Sequence, residues 1–198
     1  MNYYISNHGS RDKPMFRDHA DFEHFLALLY IGNATGHFIL RDAKAAEIFA
    51  LGRSVPLVSV KAYCLLPDRY HLILSDRAPN GIRRFIHKID TAYVMYYNRR
   101  HGHRGTVFPS KYRMKHISDE SGLYELVRRV HLFPFSVQET ESNKNSSTQP
   151  FVRLGARSSG GLALDKMIDL ASRYEYSSMK DYLGEDRPQK VILEGNRD

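Results

Sequence analysis

Two extended runs joined by a proline turn constrain this chain more than anything else in it. Val55 to Leu66 is rich in β-branched and aromatic residues, Pro67-Asp68 interrupts it, and Arg69 to Leu74 resumes the same character. The pattern predicts an antiparallel hairpin. Side chains alternate along a strand, so Arg69, His71 and Ile73 point to one face while Tyr70, Leu72 and Leu74 point to the other. An arginine and a histidine on one face of an apolar strand need a reason. Buried alone they cost free energy, whereas on the wall of a groove they are placed to touch a ligand.

The rest of the chain supplies elements to pack around that hairpin. Tyr3 to Ser6 predicts a short first strand, ended by Asn7, His8 and Gly9. Asp18 to Thr35 predicts a helix, with Phe22, Phe25, Leu26 and Leu29 at helical spacing, and Asp42 is a cap for a shorter helix reaching Gly52. Asn80 caps the longest helix, whose stripe includes Phe85, Ile89, Tyr93 and Tyr97, and which breaks at Gly102 and Gly105. Val107 to Ile117 predicts another strand. Ser118 then caps a helix that stops before Pro134. A last helix is expected over Leu162 to Tyr174. The order points to an α+β fold, a ferredoxin-like antiparallel sheet with helices packed on one face. Residues 1–136 are expected to form the main domain, 137–161 a polar insertion, and 162–198 a helical extension completing it.

Composition narrows the function classes. With one cysteine, Cys64, the chain has no internal disulfide framework and no cysteine-based zinc cage. There is no apolar run long enough to span a membrane and no apolar stretch at the N-terminus, so a cytoplasmic protein with no membrane partner is expected. Net charge is +7 over 198 residues. The excess lies between Pro79 and His131, where eleven Lys/Arg face four acids. Such a concentration is the electrostatic footprint of a polyanion. Arg83, Arg84, Lys88, Arg99, Arg100, Arg104, Lys111, Tyr112 and Arg113 are the candidate residues for contacting a nucleic acid; Tyr112 is among them because aromatic rings beside cations stack unpaired bases.

The run Ala62 to Leu74, A-Y-C-L-L-P-D-R-Y-H-L-I-L, resembles the signature of the single-tyrosine HUH transposases, which include the REP-associated tyrosine transposases. Further blocks resemble that family in the same order. They are Tyr3-Tyr4-Ile5 with Pro14-Met15-Phe16, Tyr97 to Gly102, Phe108 to Tyr112, Val130-His131-Leu132-Phe133-Pro134, and Tyr176 to Gly184. The resemblance covers residues 1–136 and 174–184. It implies DNA transposition on single-stranded or hairpin DNA, with recombination chemistry supported by a divalent cation (Mg or Mn) held by the HUH histidines and a third polar side chain. It also implies a tyrosine nucleophile two residues before the histidine of the I-H-L-N-P-like block.

At both of those places the chain departs from the pattern. Arg69 stands where the first HUH histidine belongs, and a guanidinium has no lone pair for a metal. Arg129 stands where the nucleophile belongs. His71 alone remains as a residual metal ligand, so the cation is expected not to bind. Arg69, His71 and Arg129 are thus the family's catalytic positions, two of them substituted by a residue that grips phosphate well. Tyr124 is five residues before Arg129 and faces elsewhere on the helix. The leading reading is a DNA-binding protein of this family that does not cleave. The alternatives are an active transposase or nickase using a non-standard nucleophile, and a ferredoxin-like RNA-binding module. A homodimer is a further expectation on the partner side. His101-Gly102-His103 reads as a solvated loop rather than a metal site, and Cys64 as a buried thiol.

Overall fold

The computed structural model describes residues 1–10, 14–36, 45–52, 54–136 and 164–193. The strands are β1 (Asn2–His8), β2 (Val58–Leu66), β3 (Arg69–Asp76) and β4 (Arg113–Ile117). They form one antiparallel sheet in the order β2-β3-β1-β4. The helices are α1 (His19–Ile31), α2 (Ala45–Phe49), α3 (Gly81–His101), α4 (Glu120–Ser136), α5 (Leu164–Ser172) and α6 (Met179–Tyr182), followed by a 3-10 turn over Pro188–Ile192. The α+β class and the strand-helix-hairpin-helix-strand order are those expected from the sequence.

The helices are not confined to one face, which corrects that part of the expectation. Ile5, Tyr63, Leu65, Tyr70, Leu72 and Leu74 pack with α1 and α3. Tyr4, Ala62, Cys64, Leu66, Ile73 and Ile117 pack with Val130, Leu126 and Val127 of α4. The reason lies in β2, which is buried along nearly its whole length on both sides. A strand of that kind needs a cover on each face.

Several element ends also differ from the sequence reading. Helix α1 ends at Ile31 rather than Thr35: Gly32 caps it at a point too close to Leu28 and Ile89 for any side chain, and Asn33 turns inward to bond both backbone groups of Val58. Asp18 caps α1 as expected, accepting from the Asp21 N–H. Asn80 is at the start of α3 in a left-handed conformation, but its side chain makes no cap bond; Asp76 accepts from the Ile82 N–H at 2.7 Å instead. Gly102 ends α3 at φ 59°. Only Arg113–Ile117 of the strand expected from Val107 pairs with β1, since Pro109 lacks an N–H and Val107 and Phe108 bury into the core. The cap of α4 is Asp119, not Ser118, and the helix runs through Pro134 to Ser136. Proline in the last turn leaves most of the ladder intact, and Phe133 seats that turn against the sheet. Asp42, the whole polar insertion (137–161) and the start of the last predicted helix lie outside the described residues.

The two edges of the sheet differ. The β2 edge is closed by a strap from the C-terminal region: the Ser178 N–H donates to the Tyr63 carbonyl, and the Leu65 N–H donates to the Tyr176 carbonyl. The Ser178 hydroxyl bonds His131 of α4 at 2.7 Å, tying the strap to the helix. At the opposite edge, β4 is exposed along Arg113 to His116.

Candidate nucleic-acid interface

A cleft of about 520 Å³ opens where β1 ends and β3 and β4 begin. Register builds it. Ser6 is opposite His71 and His8 opposite Arg69 on one side of β1, while Ser6 is opposite Arg113 on the other. Residues directly opposite share a face, so Arg69, His71, Ser6, Tyr4 and Arg113 all belong to the α4 face of the sheet. Ser10, Pro14, Asp68, Ser110 and Lys111 complete the rim.

The floor is a buried pair. The Tyr4 hydroxyl lies 2.6 Å from His71 Nδ1, and Phe133 stacks on the His71 ring at 4.1 Å between centroids. Burial, reinforced by the Arg69 charge, pushes the His71 pKa down to about 3. Burial raises Tyr4 to about 12, against the opposing pull of Ser6, Arg69 and Arg129. At neutral pH, therefore, both groups of the pair are uncharged, Tyr4 as the phenol and His71 as the neutral imidazole, sharing one hydrogen bond. On the opposite face of the sheet, Asn7 and Tyr70 donate to Asp90 of α3, whose carboxyl burial raises to about 7.

Arg69 and Arg129 come near this floor; Arg69 has a carboxylate beside it in the chain, whereas Arg129 shares one with Arg128. Arg69 makes a two-pronged pair with Asp68, at 3.0 Å from Nε and 2.6 Å from Nη2. Arg129 pairs with Glu125 at 3.5 Å, and its charge reaches Tyr4. Lys111 and Arg113 are exposed on the rim, with no carboxylate within pairing distance among the described residues.

The remaining predicted residues divide. Arg100 is held by Asp18, at 2.7 and 2.9 Å, and by Asp21, so it clamps α3 to α1. Lys88 donates to the carbonyls of Ala34 and Gly36. Tyr112 packs against the main core. Arg99 and Arg104 are exposed at the cleft end of α3 and in the following loop. Arg83 and Arg84 are exposed on its first turn, roughly 24 Å away along the helix axis at 1.5 Å per residue. His101 contacts Asp21 of α1, while His103 contacts the Asn98 side chain and its backbone N–H donates to the Asn98 carbonyl, so both histidines have partners within the fold. Tyr124 is 69% exposed on α4, away from the floor, and Cys64 is fully buried, with burial raising its thiol pKa.

No family model matches the chain, and no curated protein matches it. A solved structure described as a REP-associated tyrosine transposase bound to a REP hairpin aligns over 93% of this chain and 79% of that one, with a TM-score of 0.48 and 8% identity.

The residues at the floor do not fit a divalent cation. Arg69 offers no donor lone pair, Tyr4 occupies Nδ1 of His71, and no group of three His, Cys, Asp or Glu side chains that could hold a metal occurs among the described residues. No described helix is long and apolar enough to cross a membrane. Sequence reasoning misses Tyr4 and Asp68. Asp68 is visible as the neighbour of Arg69, but Tyr4 meets His71 across 67 residues through a strand register that one sequence does not display.

Proposed function

We propose that this chain binds structured single-stranded or hairpin DNA with the cleft end of its sheet and does not cut it. The reading rests on one observation. The positions matching the family's metal ligand and nucleophile hold arginines beside a neutral His71, while Lys111 and Arg113 offer unmatched positive charge on the same cleft. Cations so placed hold a phosphate backbone through charge-assisted hydrogen bonds, and each phosphate neutralised releases counterions. Replacing Lys111 and Arg113 together by Gln should weaken hairpin binding and make its salt dependence shallower by up to about two units. An unchanged slope places the interface elsewhere on the surface.

One observation favours the enzymatic alternative, namely a tyrosine hydroxyl beside His71. Tyr4 is only 7% exposed, however, and the pair holds its proton tightly: the phenol is shifted up and the histidine down. Both shifts oppose formation of a phenolate nucleophile. Incubation with hairpin DNA and Mg²⁺ or Mn²⁺, followed by a denaturing gel, should show no covalent adduct. An adduct that disappears in Tyr4→Phe would establish the alternative.

A further inference from the structure

We propose that the cleft is a site for a phosphate monoester, and that on DNA it reads a phosphorylated strand end rather than a passing backbone. The inference rests on the DNA-binding reading above for its macromolecular partner, but not for its chemistry.

Charge favours it first. Within the cleft the Arg69 and Asp68 side chains neutralise one another through two hydrogen bonds. The floor contributes no charge, since His71 is neutral and Tyr4 protonated at neutral pH. What is left among the described lining residues is two arginine or lysine cations, Lys111 and Arg113. An internal diester carries one negative charge, whereas a monoester carries about 1.5 to 2 at pH 7. The monoester is the matching ligand.

Shape favours it next. The cleft has a floor, not a far exit: His71 is 4% exposed and is backed by the Phe133 ring. A strand that enters end-on meets that floor with its terminus. Its volume of about 520 Å³ suits a small-molecule site, enough for a terminal nucleotide and not for a duplex. Hydrogen-bond capacity points the same way. Ser6 and Ser10 line the cleft, and Arg69 keeps three N–H donors beyond the two given to Asp68. A monoester presents three oxygens to such donors, a diester only two non-bridging ones.

The same phosphate chemistry is offered by a strand end and by a free nucleoside monophosphate, and binding assays separate them. Hairpins with a short single-stranded overhang are prepared with a 5′ or 3′ hydroxyl, phosphate or methyl phosphate, and their affinities are compared by fluorescence anisotropy. At one end the phosphate should tighten binding about tenfold over hydroxyl. The methyl phosphate should lose most of that gain, and Lys111→Gln with Arg113→Gln should abolish it. Competition by a nucleoside monophosphate as strong as by the phosphorylated strand would assign the site to free nucleotides. Equal affinity for all three termini, with no competition by the monophosphate, overturns the proposal while leaving hairpin binding intact. Failure of every hairpin to bind, with the monophosphate still bound, overturns the DNA reading and keeps the monoester site.

Discussion

Arginine does opposite work at two places in this molecule. At the junction of α1 and α3, Arg100 faces Asp18 and the fully buried Asp21, and His101 adds a second contact to Asp21. Cation and acid are matched there, and the product is a fixed helix pair. In the cleft, Arg69 is matched by Asp68 but Lys111 and Arg113 are not, and the surplus is open to solvent. Both stretches read as basic in the sequence. What separates them is the location of acids that are distant along the chain, so a count of Lys and Arg locates a polyanion surface only after the internal pairs are subtracted.

The clamp is the more easily broken of the two. Asp21→Ala leaves His101 and the Arg17 N–H without their acceptor and leaves Arg100 with Asp18 as its one remaining carboxylate. We expect a loss of about 2–4 kcal/mol in denaturant unfolding, below the ~3–5 of a fully buried pair because Arg100 is one-third exposed. Hairpin affinity measured on the remaining folded protein should be unchanged. A loss below ~0.5 kcal/mol would show that the clamp does not hold the helices together.

Acid should strike the cleft floor before the clamp. His71, with a folded pKa of about 3, takes up its proton only on unfolding, so its contribution is complete above the ordinary histidine value near 6.5 and is lost as pH falls toward 3. Buried His24 and His131, each near 4, act in the same direction. Asp90 acts in the opposite direction, its contribution declining as pH rises from about 4 to 7, but it is one group against three. Asp18, held below the usual carboxylate range mainly by its hydrogen bond from Arg100, keeps the clamp charged through that window. Thermal melts should therefore fall between about pH 6.5 and 4, and His71→Asn should flatten part of the fall. Identical profiles for both proteins would show that the floor has no part in the acid sensitivity.

The smallest effect tests whether Asp68 restrains Arg69. Asp68→Asn removes the opposing charge from the cleft, and hairpin binding should tighten a few-fold with a steeper salt slope. Weaker binding would mean that Asp68 orients Arg69 for its ligand.

The features legible in the sequence are those set by local rules. The alternation of β3, the Asp18 cap and the buried tyrosines of α3 depend on near neighbours along the chain. Arg69, His71 and Arg129 are legible through the family resemblance, and the fold brings all three toward Tyr4. The second covered face and the Tyr4–His71 contact are not legible, because each depends on which strands become neighbours. The commitment of Arg100 and Lys88 to internal partners is hidden for the same reason: their acceptors lie 52 to 82 residues away.

The C-terminal strap carries a consequence for biosynthesis. Strand β2 finds its edge partner only when residues 174–178 have left the ribosome, more than a hundred residues after β2 itself. During that interval its free amides and carbonyls are a template for any other extended chain. Because the closing contact is so distant in sequence, it is among the last to form. A chain cut short before Tyr174 would keep the hairpin and the cleft but expose that edge permanently. It would also lose Ile192 and Tyr176 from the main core, so self-association and a weakened core would act together.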